Sequence, residues 1–146
     1  MELLRFFVTL GPIGSMAAPG TIAAFCTIPC VFWVKSIVPN SWAYLGFISL
    51  LIGISWFAIN YVLKSMKRND DPQEIVLDEV VGCMLTFWDV PLTTPVIVLG
   101  FLLFRFFDIS KCAGVMWGER LDGASGIIAD DLIAAIISNM ILRFLL

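Results

Sequence analysis

The stretch from Trp42 to Leu63 carries no charged side chain. It exceeds the roughly 20 apolar residues a helix needs to cross the hydrocarbon core of a bilayer. Lys64, Lys67 and Arg68 follow it directly, and the excess of basic residues in cytoplasmic loops puts that end inside. A helix over 42–63 therefore runs from outside to inside, and its orientation fixes the others. The apolar run 22–38 must run the opposite way, with Pro29 predicted to kink it and Lys35 near its far end. Residues 75–88 and 92–107 give two more apolar segments joined by Asp89-Val90-Pro91, and 127–146 gives the last. At about 1.5 Å per residue the two middle segments reach only about 20–25 Å of a roughly 30 Å core, so they are expected to be sunken or re-entrant. Met1 to Leu10 reads as an interfacial or partly inserted helix. The expected fold is an all-α polytopic membrane bundle of about five inserted helices, in a single domain over 1–146.

Composition agrees. The chain is 60% hydrophobic and 14% charged, against about 45–50% apolar for a soluble domain. Its net charge of −3 offers no electrostatic footprint for nucleic acid. The four cysteines make no CxxC pair. Cys26, Cys30 and Cys83 lie in apolar runs and are expected to be small buried hydrophobes; Cys112 does not.

Against this background the charges stand out. Arg105, Asp108 and Lys111 recur every third residue, so on a helix they share one rough stripe. Asp130 and Asp131 interrupt the apolar run I-I-A-D-D-L-I-A-A-I-I. Ionisable groups in such a position are expensive and mark a functional site with a partner. Asp78 and Glu79 open the segment 75–88. Pro19-Gly20-Thr21 leads into the helix 22–38, where free backbone N–H groups and a hydroxyl suit an anion; a plain turn and cap is the simpler reading of it. The topology drawn from one basic loop brings all four groups to the cytoplasmic leaflet. Lys35 and Arg143 fall at the opposite ends and read as interface anchors.

Several mechanisms are excluded. The chain has no histidine, hence no histidine base, phosphohistidine or histidine metal ligand. No cysteine begins a C-x5-R phosphatase loop, and no D-x-D-x-T/V motif is present. Carboxylates beside Arg and Lys have one specific use. Asp and Glu oxygens suit Mg²⁺, which bridges to phosphate. Arg offers a bidentate fork for phosphate, and Lys a point charge. Phosphate-ester hydrolysis needs nothing more. The same charges could be structural, as helix-surface pairs and helix-terminus partners. That reading serves Arg105, Glu119, Arg120 and Asp122, each taken alone, at least as well, and Asp70, Asp71 and Glu74 fit a solvated loop. It serves Asp130-Asp131 poorly, because adjacent aspartates in an apolar helix repel and need a cation.

These stretches resemble the phosphatidylglycerophosphatase A family. S-M-A-A-P-G-T at 15–21 is similar to its S-P-x-x-P-G-T, and E-I-V-L-D-E-V-V-G at 74–82 to its I-V-x-D-E-x-x-G. F-R-F-F-D-I-S-K at 104–111 with G-I-I-A-D-D at 126–131 resembles its F-R-x-x-D-x-x-K-P and G-I-x-x-D-D. The departures are Met16 for the usual Pro, Cys112 after Lys111 in place of Pro, Ala124-Ser125 before Gly126, and A-G-V-M-W-G-E-R in the loop 112–126. Most fall in that loop and bear on substrate preference more than on phosphatase chemistry.

The resemblance implies an enzyme, a phosphoric monoester hydrolase of the bacterial inner membrane. It implies Mg²⁺-dependent release of the terminal phosphate of phosphatidylglycerophosphate. It carries over Thr21, Asp78, Glu79, Arg105, Asp108, Lys111, Asp130 and Asp131. Asp78, Glu79, Asp130 and Asp131 are expected to hold Mg²⁺. Arg105 and Lys111, with Thr21, are expected to hold the phosphate. Asp108 is expected to orient Lys111 or the attacking water, with Asp78 and Asp131 also in the catalytic set. The alternative is a small cation-binding or transport protein built on the same carboxylates, for which two cations beside the path would be no help. A structural membrane subunit is the third reading.

Overall fold

A computed structural model describes residues 2–66, 74–112 and 114–146; of Met66, Glu119 and Arg120 it describes the backbone alone. The basic residues Lys67 and Arg68, and Asp70 and Asp71 of the expected solvated loop, lie outside the described residues. The described chain is all helix. The α-helices are α1 (Glu2–Val8), α2 (Pro19–Ile37), α3 (Ser41–Met66), α4 (Leu77–Thr86), α5 (Thr94–Ser110) and α6 (Ala124–Leu145), with 3-10 turns at Gly11–Ser15 and Val115–Arg120. Three of them, α2, α3 over Ser41–Ser65, and α6, are long and apolar enough to cross a membrane.

The organising element is the shortest of the inner helices. At about 1.5 Å per residue α4 is only about 15 Å long, and its residues are almost all buried between α2, α3, α5 and α6. A helix that ends inside a bundle leaves carbonyl groups that no water can satisfy. Here other helices supply the donors. Tyr44 on α3 donates its hydroxyl to the Met84 carbonyl at 3.1 Å. Asn139 on α6 donates its amide to the carbonyls of Thr86, at 2.9 Å, and Trp88, at 2.7 Å. Those two polar side chains, buried in apolar helices, explain how so short a helix can end inside the bundle.

Two apolar clusters surround α4. One joins α2, α3, α4, α5 and α6 around Tyr44, Phe87, Phe104 and Leu142. The other gathers Val8, the last turns of α3, Ile75 and Leu77, and the first turns of α6. Gly82 permits a close contact between α4 and its neighbours. A β-carbon there would meet the Phe104 ring at 2.8 Å and the Asp131 carbonyl at 3.2 Å, so α4 lies directly on the α6 backbone.

The expected alternation of helix directions holds. The start of α2, the start of α4, the end of α5 and the first turns of α6 meet at one end. At the other end Lys35 donates to the Val90 carbonyl at 2.7 Å, Ser41 bonds Asp89, and Arg143 pairs with Asp89 and stacks over the Trp88 ring at 4.7 Å. Lys35 and Arg143 are thus members of one polar cluster tied to the Asp89 turn.

Three sequence expectations change. The helix expected from residue 22 starts at Pro19, because proline is pre-shaped for a first helical position. It continues through Pro29 to Ile37. Cys26 and Cys30 are exposed, on a face that an apolar solvent can cover, and only Cys83 of the three is buried. The segment 112–126 is not all loop, since it contains the second 3-10 turn and the start of α6.

Candidate active site

Four helix ends build a cavity of about 320 Å³ at the end of the bundle where α2, α4 and α6 begin. Its walls carry Thr21 from α2, Asp78 and Glu79 from α4, Arg105 and Asp108 from α5, Lys111 just beyond it, and Asp130 and Asp131 from α6. All eight residues singled out from the sequence therefore line one cavity. Ala18, Pro19, Gly20, Ile75 and Ile109 complete it.

Local structure accounts for each placement. Asp78 and Glu79 occupy the first turn of α4, where the positive end of the helix dipole favours carboxylates. The first N–H groups of α2 have no partner within that helix, and Gly20 brings them close to the acids. A β-carbon on Gly20 would collide with Glu79 Oε1 and stand 3.2 Å from an Arg105 nitrogen. Lys111 ends α5 in the left-handed conformation, with φ 51°, an uncommon state for a residue with a side chain. Ala18, which precedes α2, is left-handed too, at φ 55°. The strained backbone at both positions borders the cavity.

The carboxylates fall into two sorts. Asp108 and Asp130 are paired with cations. Asp108 accepts from Arg105 through one oxygen and from Lys111, at 3.1 Å, through the other. Asp130 pairs with Lys111 and also accepts the Asp131 backbone N–H at 3.0 Å. By contrast, Asp131 is 2% exposed and its Oδ2 has no hydrogen-bond partner. Glu79 Oε2 is also buried without one. Such atoms are costly unless something positive reaches them.

Two groups of carboxylates could converge on a cation: Asp78, Glu79 and Asp131, and Asp108, Asp130 and Asp131. Within each, the oxygens lie no more than 4.8 Å apart. Asp131 belongs to both.

Burial pulls the Lys111 ammonium toward its neutral form, but the hydrogen bonds and charges of Asp130 and Asp108 outweigh it. Its pKa rises above the ordinary 10.5. Lys111 is a fixed positive charge, suited to holding an anion and unsuited to giving up a proton.

The family profile described as Phosphatidylglycerophosphatase A matches residues 6–146. The chain belongs to that family. It is 31% identical over 135 residues to the Phosphatidylglycerophosphatase A of Escherichia coli (strain K12), covering 90% of this chain and 76% of that one. It is 29% identical over 132 residues to a Putative phosphatidylinositol-3-phosphatase of Bacteroides thetaiotaomicron, covering 86% of this chain and 81% of that one. A Phosphatidylglycerophosphatase A of Haemophilus influenzae is 41% identical over 68 residues, 45% of this chain and 42% of the other. No solved structure matches.

For a phosphatidylglycerophosphatase A family member, the apolar helices described above fit a membrane-associated chain. The sequence reading missed the glycines that let the cavity close. Gly118 sits against the backbone of Asp130, where any β-carbon would collide. Gly126 stands in the same relation to the Leu121 carbonyl. These contacts hold the 3-10 turn over the first turns of α6. The signal was present in W-G-E-R and D-G-A-S-G, but a glycine in a loop reads equally well as a simple turn.

Proposed function

We propose that this protein hydrolyses the terminal phosphate of phosphatidylglycerophosphate, yielding phosphatidylglycerol and phosphate in phospholipid biosynthesis. The observation that carries this reading is the pairing of two fixed cations with two carboxylates beside Glu79 and Asp131, each of which has one buried oxygen without a hydrogen-bond partner. A phosphate monoester needs the first feature for its charge. The second is what a hard divalent cation takes. Water adds to phosphorus, the phosphorus–oxygen bond to the lipid breaks, and the lipid oxygen leaves as a hydroxyl.

Mg²⁺ fits the donor set. The unpartnered Oδ2 of Asp131 and Oε2 of Glu79, with Asp78 beside them, offer hard oxygen ligands and no nitrogen or sulfur. We assign the ion to these three residues. When bound, it would supply Lewis-acid polarisation of the phosphoryl group and activation of water. Asp130, a metal ligand in the sequence reading, instead serves to hold Lys111, because its oxygens are engaged by that ammonium and by the Asp131 N–H. Asp108 orients both cations. Arg105 and Lys111 bind the phosphate, helped by the Thr21 hydroxyl and the free N–H groups of α2. The same two cations weigh against a cation pathway. The metal prediction is checked by phosphate release from purified protein. Activity is expected to vanish in excess chelator and to return with Mg²⁺; full activity in chelator would overturn the assignment. A panel of lipid phosphates, including a phosphoinositide, tests the headgroup.

We place the protein in the bacterial inner membrane with the cavity facing the cytoplasm, on the strength of Lys64, Lys67 and Arg68. Single cysteines in a background lacking the native four report this. Asp122→Cys, at the cavity end, should be labelled from the cytoplasmic side, and Pro39→Cys from the outside. Pro39 is preferred to Asn40, whose side chain caps α3 by accepting the N–H groups of Trp42 and Ala43. The reverse labelling pattern would move the site to the outer face.

A further inference from the structure

Resting on the lipid-phosphatase reading, we propose that the acyl chains of the substrate leave the cavity through the seam between α2 and α5, and that Phe25, Phe101 and Ile109 form their contact surface. The argument begins with what closes the other walls. On the α4–α6 side, Gly82 brings the two backbones together at Asp131. Over the first turns of α6, Gly118 seats the 3-10 turn on Asp130. The α2–α5 wall is different, because the two helices touch at few points.

The side chains along that seam repeat at helical spacing. On α5, Phe101, Arg105 and Ile109 are each four residues apart and share one face. On α2, Thr21 and Phe25 do the same. The helices run in opposite directions, so Thr21 and Arg105 share one level. One turn deeper, Phe25 and Phe101 meet edge to face with ring centroids 6.1 Å apart. Above Arg105 lies Ile109, on the cavity rim yet 68% exposed. Phe25 is 65% exposed. A polar level that binds phosphate is thus bounded along the seam by apolar levels open to the surroundings.

A two-chain lipid gives the reason for such a wall. Every methylene taken from hydrocarbon into water is costly. The chains therefore stay in the bilayer while the headgroup turns sideways into the cavity. The seam is where an apolar surface is continuous with the phosphate-binding cations.

The experiment uses full-length protein in mixed micelles with two substrates of the same headgroup, one with long acyl chains and one with short, water-soluble chains. The readout is the ratio of their kcat/KM values. Phe25→Trp and Ile109→Trp are expected to lower the long-chain to short-chain ratio about tenfold, while Phe57→Trp on the exposed face of α3 leaves it unchanged. An unchanged ratio in both seam variants would overturn the proposal. A second measurement needs no turnover: a phospholipid with a photoreactive group on its acyl chain is crosslinked in vesicles. Adducts are expected on Phe25, Phe101 or Ile109 above the level on α3, and an even distribution would overturn the port. Hydrolysis of neither substrate by the unaltered protein would count against the phosphatase reading, and the crosslinks would then judge the port separately.

Discussion

Asp131→Asn is expected to remove turnover while leaving the protein at least as stable as before. The substitution keeps the shape and one acceptor oxygen but discards a charge that is 2% exposed and has one oxygen unpartnered. Burying such a charge opposes folding, so its loss should hold or raise the thermal midpoint in detergent. Catalysis should move the other way. Asp131 belongs to both carboxylate groups able to meet a cation, and losing Lewis-acid assistance removes several kcal/mol of transition-state stabilisation. A fall in kcat/KM of at least about a hundredfold follows, or ~3 kcal/mol. The metal adds a second sign. Mg²⁺ should raise the midpoint of the unaltered protein by binding only its folded form, and should leave that of Asp131→Asn unmoved. A structural role predicts the opposite pattern, with stability lost and turnover kept. Asp130→Asn is the informative neighbour: it leaves Lys111 with Asp108 alone, so it should lower stability without removing the response to Mg²⁺. Near-normal turnover in Asp131→Asn would dismiss the site.

The charges of this site were legible because they are costly where they stand. Asp130-Asp131 in an apolar run, and Arg105, Asp108 and Lys111 at three-residue spacing, stand out against a chain that is 14% charged. Alternating helix directions then sufficed to bring the groups to one end of the bundle. What the sequence left open depends on contacts between distant residues. Whether Asp130 meets a cation or a metal turns on where the left-handed Lys111 points its side chain, and periodicity is silent on that. The caps on α4 from Tyr44 and Asn139 were hidden for the same reason, since a tyrosine and an asparagine in apolar helices have many uses. Cys26 and Cys30 misled because an apolar run implies burial only when the solvent is water. In a bilayer the outward face of α2 is as apolar as its inward face.

Arg105→Gln and Lys111→Gln should each lower kcat/KM by about a hundredfold, the scale found when a single preorganised donor to a developing charge is removed. The two changes should not combine independently. Both side chains hold Asp108, one on each of its oxygens, so either loss also loosens the remaining cation, and the double variant should lose less than the product of the single losses. Lys111 carries a further signature. Its pKa lies above the ordinary 10.5 because Asp130 and Asp108 outweigh its burial, so its charge persists through mildly alkaline conditions. Any decline in kcat/KM between about pH 8 and 10 must then come from another group, and the same decline should remain in Lys111→Gln at its lower level. Had Lys111 been a proton donor, that limb of the profile would disappear with it. Arg143→Gln is the control at the far end of the bundle. It breaks an exposed pair with Asp89, so about 0–1 kcal/mol of stability should be lost and activity kept. The decisive measurement is the kcat/KM profile of the four variants at matched folded concentration. If Arg105→Gln and Lys111→Gln both matched Arg143→Gln, the phosphate would have to bind elsewhere.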